Sequence, residues 1–294
     1  MEQYKAYIRK MVEQGGPREE HYQEITKWIN QIHSLATLGR ISQPELASMR
    51  AWFGSALSPS TIQGLALTKP HGYAGDFEII DRIYQHYVSP DPHTARWDHY
   101  FHEQAGPKAV RNRKAYFHTL LDRHYASRQP LRVLKIASGP GRSMFEWFTA
   151  NPSAAASFQC IEIDPTAIRY ASNLNHQFLD RINFTQLNAL LYKPTVQYDL
   201  VWAAGIFDYF PDPVFLSLFQ RLLSAVAPGG ELVVGNFSDS HPSRPYMEVI
   251  GDWHLYHRSA EKLRSLAEQA GILPENVLIG SEPEGVNLFL HVSA

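Results

Sequence analysis

Two short segments hold the residue types from which a ligand site could be built. The first is Val133-Leu134-Lys135-Ile136-Ala137-Ser138-Gly139-Pro140-Gly141-Arg142, an apolar strand-like run that breaks into a glycine turn and opens a helix. Lacking side chains, Gly139 and Gly141 let a ligand approach the backbone, and the free N–H groups of a helix start attract anions. On its own, Gly-x-Gly is equally an ordinary tight strand-to-helix turn. The second segment is Cys160-Ile161-Glu162-Ile163-Asp164-Pro165. It puts an acid at the end of the next strand, about 20 residues after the glycines, where a carboxylate can accept both hydroxyl protons of a ribose. A solvated acid favoured by a helix dipole is the competing reading. Turn and acid together favour an adenosine site.

The elements around these segments change character along the chain. Up to about residue 126 the pattern is helical and rich in His, Tyr and Gln. Ser42-Gln43-Pro44-Glu45 has the Ser-x-x-Glu form of a capping box, and Asp76 is placed to cap FEIIDRIYQHYV. A last helix, about 108–125, leads into the polar link Ser127-Arg128-Gln129-Pro130. From Leu131 onward strand-like runs alternate with helical stretches: LRVLKIA, SFQCIEI, INFTQL, YDLVWAA, GELVVGNF, NVLIG and NLFLHVS, with helices near 213–226 and 259–270. This alternation predicts a mostly parallel, doubly wound α/β sheet that binds ligands beyond the carboxyl ends of its strands. Ser281-Glu282-Pro283-Glu284-Gly285 is too short for a parallel crossover, so the last two strands are expected to be antiparallel neighbours. The division expected is a helical, substrate-covering cap over 1–127 and a ligand-binding sheet domain over 128–294.

Composition narrows the function. With 27 Lys and Arg against 29 Asp and Glu, the chain lacks the basic excess of a nucleic-acid binder. A hydrophobic content of 44% supplies a real core. No run reaches the roughly 18 apolar residues of a membrane span, and MEQYKAYIRKMVEQ lacks the apolar centre of a secretory signal, so a cytoplasmic location is expected. The single Cys160 excludes a disulfide framework and a multi-thiolate zinc site. Among the 14 histidines, His99-x-x-His102-Glu103 and His254-x-x-His257 have ligand-like spacing on a helix but no third ligand, and no metal is expected.

Several landmarks in order, from about Arg132 to Val292, resemble the class I S-adenosylmethionine (SAM) methyltransferases. The resemblance implies their Rossmann-like sheet, mostly parallel with an antiparallel last strand, here with an N-terminal helical cap, and SAM as cofactor. Ala137, Ser138, Gly139 and Gly141 match the turn under the methionine part of SAM, and Glu162 with Ile163 matches the ribose-binding end of the second strand. Asn188-Ala189 matches the Asp-Ala position beside adenine, where an Asn carbonyl can still accept from the adenine amino group. Tyr198-Asp199-Leu200-Val201 matches the strand presenting the active site, with Ala204 and Gly205 at its end, and Ala227-Pro228-Gly229-Gly230-Glu231-Leu232 matches the turn before the fifth strand. Arg113 offers a guanidinium for the SAM carboxylate. Lys135 stands where the family usually has an acid that helps hold the SAM ammonium. It either snorkels away from the pocket or, turned inward, lowers the pKa of that amine.

The same resemblance implies catalytic candidates. Asp208 and Tyr209 lie in the loop Ala204–Phe210, where the family places acceptor-contacting groups. Tyr73 is a candidate on its own residues, since two glycines around a tyrosine in Lys69-Pro70-His71-Gly72-Tyr73-Ala74-Gly75-Asp76 form a loop shaped for close contact with a ligand. Tyr246, Trp253 and Tyr256 are candidates for a wall of the substrate pocket. The cap loop, the glycine turn and Trp253-His254-Leu255-Tyr256-His257-Arg258 are similar to a bacterial subgroup of this fold linked to methyl esters of 3-hydroxy fatty acids, and to azetidine-2-carboxylate synthases of secondary metabolism. Methyl transfer to an oxygen or nitrogen of a small metabolite is the leading expectation. The alternatives are cyclisation of SAM with release of 5′-methylthioadenosine, which would use Lys135, and SAM binding without turnover, as in a regulator. Partners are expected to be small molecules and neither nucleic acid nor membrane; the sequence leaves the oligomeric state open.

Overall fold

The computed structural model describes residues 2–293, which divide into two compact units. One runs to Lys108 and takes in Pro242–His254; the other comprises Ala109–His241 and the chain from Leu255 on. No helix among the described residues is long and apolar enough to cross a membrane.

The second unit is built on a seven-stranded sheet. Its strands are β1 (Leu131–Ile136), β2 (Ala156–Glu162), β3 (Ile182–Gln186), β4 (Tyr198–Ala204), β5 (Val226–Phe237), β6 (Val277–Ser281) and β7 (Asn287–Ser293). They stand in the order β3-β2-β1-β4-β5-β7-β6. β1 to β5 are parallel, while β7 enters antiparallel between β5 and β6, as the short final connection requires. The chain reverses its direction of progress between β1 and β4, so a crevice opens at their carboxyl ends. The Pro-Gly-Gly turn expected before the fifth strand lies inside β5 instead. Gly229 takes φ +70° there, and the β4–β5 register slips between Tyr198 and Leu200.

Strand alternation sorts the core into two layers. Leu134 and Ile136 point to one face with Val201, Phe215, Phe219 and Leu263. Val133 points to the other, with Phe117, Leu121, Met144, Phe148 and Phe289. The helix Ala105–Ser127 supplies Phe117, Leu120 and Leu121 to this second layer, so the sheet unit starts well ahead of the 127/128 division expected from composition.

Beside that helix lies a buried carboxylate. Glu231 of β5 accepts from His291 Nδ1 at 2.8 Å and His124 Nε2 at 2.8 Å, and pairs with Arg123. These hydrogen bonds and cations more than offset its burial and hold its carboxyl well below the usual carboxylate range.

The helical unit contains Glu2–Glu13, Glu19–Thr37, Gln43–Arg50, Ile62–Thr68, Phe77–Tyr84 and Ala95–Glu103, and a 3-10 stretch Ala51–Leu57. Both expected caps form. Ser42 N–H and Oγ–H donate to Glu45 at 2.8 and 2.7 Å, and Asp76 Oδ1 accepts from Glu78 and Ile79 N–H, each at 2.9 Å. The Asp76-capped helix stops at Tyr84, short of Val88, and His86 takes φ +53°. Pro242–His254 joins this unit because its carbonyls and acids face cations there. Arg50 donates to Val249 O at 2.8 Å and Glu248 O at 3.0 Å, and Lys69 Nζ donates to Asp252 O at 2.8 Å and Oδ2 at 3.0 Å.

Replacing Glu231 by Gln is expected to lower stability by about 3 kcal/mol near neutral pH, since it leaves Arg123 and two imidazoles without their anion. The folded-state pKa is depressed, so the wild-type contribution is complete above the ordinary value of 4.5 and is lost as pH falls below it. Urea titrations across pH 2–7 should show the two proteins converging as acid is added. A constant gap would refute this role.

Candidate functional site

The site grows from the end of β1. Ala137 takes φ +50°, Gly139 +58° and Gly141 +74°, and Gly141 is the N-cap of the helix Arg142–Ala150. The two glycines serve different ends. A Cβ on Gly139 would meet nothing within 4 Å, so this turn faces open space. A Cβ on Gly141 would stand 2.7 Å from Asn175 Nδ2 and 2.9 Å from Ala171 Cβ. Gly141 therefore lets the helix Pro165–Leu174 pack against the turn, and only Gly139 offers close approach to a ligand.

Glu162 sits beneath the turn. Its Oε2 accepts Gly139 N–H at 2.9 Å, and its Oε1 accepts from Ile163 at 2.9 Å and Asp164 at 3.2 Å. Three of its roughly four acceptor positions are thus filled, and both ribose hydroxyls fit only if the Gly139 N–H lets go. Ile163 beside it is 57% exposed, an apolar surface left where an adenine could lie. Asn188 Oδ1 accepts Leu190 N–H at 2.9 Å and caps the turn Ala189–Leu191, which uses one of that oxygen's two lone pairs. Ala189 is buried against the core beside it.

Lys135 does not reach solvent and is buried. Alternation puts it on the Val133 face, where Nζ donates to Ser143 Oγ at 2.7 Å and lies 5.4 Å from the centre of the Phe117 ring. Burial pushes its pKa down to about 8; Arg113 pushes the same way, while Cys160 and Glu162 oppose. Burial likewise raises the Cys160 thiol to about 12, which keeps it protonated and unreactive.

Arg113, on the helix Ala105–Ser127, reaches the end of β4. A Cβ on Gly205 would stand 3.0 Å from its Nη1, and Gly205 takes φ +104°. Arg113 is only 7% exposed, yet its guanidinium has no hydrogen-bond or ion-pair partner among the described residues. Close by is Asp208, in the turn Phe207–Tyr209, which accepts Phe237 N–H on Oδ1 at 2.6 Å. Burial raises its pKa to about 6, against the pull of that N–H, Arg113 and Arg258. Arg258 pins the loop: it donates to Phe210 O at 2.6 Å, Asn236 Oδ1 at 2.8 Å and Asp212 Oδ1 at 2.9 Å. Sequence reasoning did not single out Arg258 and missed this clamp. A lone Arg after an aromatic run gives no sign of which carbonyls it will meet.

The other expected residues are distributed differently. Tyr256, half exposed, belongs to the sheet unit and donates its N–H to Asp208 O at 2.7 Å. Tyr209 is half-buried in the Asp208 turn. Tyr73, Tyr246 and Trp253 belong to the helical unit. Tyr246 is part of that unit's core, with its hydroxyl 2.6 Å from Gln63 Oε1 and its ring edge-on to Tyr100. His254 and His257 are not on a helix and lie in different units, because Gly251–Arg258 is irregular chain. His102 Nε2 bonds Tyr87 O at 2.7 Å. An open groove of 1260 Å³ in the helical unit, lined by Tyr4, Tyr22, Thr26 and Tyr100, contains none of the expected site residues.

A parallel sheet with one antiparallel late strand, a glycine turn after β1 and an acid ending β2 define the class I methyltransferase fold. Residues 134–232 match the family model described as Methyltransferase domain. A trans-aconitate 2-methyltransferase from Rhodopseudomonas palustris (strain BisB18) is 31% identical over 108 residues, which are 36% of this chain and 38% of that protein. Among solved structures, a possible exported protein from Bordetella parapertussis aligns with TM-score 0.70 at 19% identity, over 92% of this chain and 96% of that one. A putative O-methyltransferase from Nostoc punctiforme aligns with TM-score 0.52 at 16% identity, over 82% of this chain and 71% of that one.

SAM is the cofactor of this domain class, and the residues present fit it. Gly139 offers an open cradle, Arg113 an unpaired buried cation for the carboxylate, and Glu162 an acceptor for the ribose. Glu162→Ala removes that acceptor and frees three backbone amides. Calorimetry with S-adenosylhomocysteine should show a loss of about 1.5–3 kcal/mol in binding. Unchanged affinity would remove Glu162 from the site.

Proposed function

We propose that this chain is a SAM-dependent methyltransferase acting on an oxygen or nitrogen of a small metabolite. The observation that carries the reading is Arg113, a guanidinium buried beside Gly205 with no hydrogen-bond or ion-pair partner among the described residues. A carboxylate satisfies such a group through paired, charge-assisted hydrogen bonds, and SAM brings one. When bound, SAM supplies a methyl group on a sulfonium. In this reading Arg113 holds the carboxylate, Glu162 a ribose hydroxyl, and Ile163 and Ala189 the adenine. Ala137, Ser138 and Gly139 leave room for the methionine chain, with Ala204 and Gly205 on its other side. Asp208 is ionised only above about pH 6, so it could take an acceptor proton above that value, with Tyr209 in the same turn. A carboxylate acceptor needs no base, and orientation alone then supplies most of the rate. The name of the Rhodopseudomonas relative supports testing trans-aconitate, and the motif resemblance supports testing 3-hydroxy fatty acids.

Lys135 favours a second reading. In cyclisation the SAM amine attacks its own γ-carbon, the carbon–sulfur bond breaks toward 5′-methylthioadenosine, and the ring nitrogen releases a proton. Only the neutral amine can attack. A buried ammonium at the place of the family's acid lowers that amine's pKa.

Mass spectrometry separates the readings. SAM with trans-aconitate or a 3-hydroxy fatty acid should give acceptor-dependent S-adenosylhomocysteine; methylthioadenosine from SAM alone would establish the cyclase, and neither product would leave a binding protein. Lys135→Met sharpens the test. In the transferase its pH–rate profile should match the wild type. In the cyclase the profile should move to higher pH, about tenfold in rate per pKa unit on the acidic side, because the amine becomes harder to deprotonate.

A further inference from the structure

The helix that carries Arg113 is fastened to the sheet by a strip of polar contacts that the proposed chemistry does not use. Asn112 Nδ2 donates to Glu282 Oε2 at 2.9 Å. Glu282 is buried in the β6–β7 turn, where it also accepts N–H groups from Glu284 at 2.8 Å, Val286 at 2.8 Å and Asn287 at 3.0 Å. One turn along the helix, Tyr116 stacks on Phe289 with ring centres 4.0 Å apart, and its hydroxyl lies 2.7 Å from His291 Nε2. His291 thus bridges Tyr116 and Glu231, one ring nitrogen facing each. Two turns further on, His124 and Arg123 meet the other oxygen of Glu231. A Cβ on Gly280 would collide with the Tyr116 hydroxyl, so β6 leaves room for the strip only because it has no side chain there.

Apolar packing alone permits a helix to slide or rotate on a sheet, whereas hydrogen bonds to buried carboxylates fix its register. Asn112 adjoins Arg113 in sequence, so fixing Asn112 fixes the stretch of helix backbone from which the Arg113 side chain starts. We propose that Asn112 and Glu282, backed by the Tyr116–His291–Glu231 chain, are positioning residues that aim Arg113 at the ligand's amino-acid carboxylate. This rests on the reading of Arg113 given above. It makes a claim that a purely structural strip would not: the loss on breaking it falls on ligands that carry the carboxylate.

The test compares S-adenosylhomocysteine with 5′-methylthioadenosine, which lacks the amino-acid end, by calorimetry on the full chain. Asn112→Ala should weaken S-adenosylhomocysteine about 5- to 30-fold and leave methylthioadenosine within about twofold, a loss typical of a displaced charge-assisted hydrogen bond. In the Arg113→Ala background, Asn112→Ala should cost nothing further, because the residue it positions is gone. Tyr116→Phe keeps the stacked ring and deletes the hydroxyl, so it should show a smaller loss with the same selectivity, and it serves if Asn112→Ala does not fold. Equal weakening of both ligands, or none, would overturn the positioning role while an intact Arg113→Ala effect preserves the carboxylate reading. If wild-type protein binds S-adenosylhomocysteine no more tightly than methylthioadenosine, both fall together.

Discussion

Removing a guanidinium from water costs several kcal/mol unless something replaces its lost solvation. In this protein Arg113 is buried with no hydrogen-bond or ion-pair partner among the described residues, and Asp208 and Lys135 lie within its electrostatic reach. The positive charge stands at the crevice between β1 and β4, where the order of the strands reverses and helices leave the sheet in opposite directions. Its neighbours keep the local charge in balance. Asp208 is held half-titrated near pH 6, and Lys135 gives up part of its charge near pH 8, so neither imposes a full, fixed charge on its surroundings at all pH values. An anion entering this crevice meets a cation largely withdrawn from water, so less of its attraction is spent on stripping water.

The same economy of buried polarity appears in the loop that follows β4. Arg258 donates to carbonyls and acids of that loop and to Asn236 at the end of β5, while its plane lies 4.8 Å from the centre of the Phe215 ring. Tyr256 N–H, from irregular chain, and Phe237 N–H, from the end of β5, close on Asp208. A loop that presents groups to a ligand is ordinarily the mobile part of a fold. Here fixed hydrogen bonds hold it, which suits chemistry that depends on aligning two reactants rather than on a strong base.

The segment Pro242–His254 shows how an insertion can belong to a different unit from the strand that precedes it. Arg50 and Lys69 bind its carbonyls and Asp252, and His33 and Arg244 bind Glu248, the imidazole at 2.9 Å and the guanidinium at 2.7 Å. Apart from the Arg244–Glu248 pair, which is four residues apart, these contacts join residues about two hundred positions apart in the chain. They explain why Tyr246 packs against Tyr100 and Phe101 in the helical unit.

By itself the sequence determined the local and periodic features. The glycine turn, the strand runs, the antiparallel final pair and the caps at Ser42 and Asp76 follow from steric limits and short-range hydrogen bonds that act within a few residues. Alternation along β1 also contained the burial of Lys135, since a residue between Leu134 and Ile136 in a strand covered on both faces has no solvent to reach. What only the tertiary structure decided were pairings between distant elements: Glu231 with His124 and His291, Glu282 with Asn112, Arg258 with the β4 loop, and the transfer of Tyr246 and Trp253 to the helical unit. It also divided the work of Gly139 and Gly141 and turned the Asn188 carbonyl into a cap. Hydrogen bonds of this kind depend on a few tenths of an ångström between side chains that no spacing rule relates, and the packing of helix on sheet sets those distances.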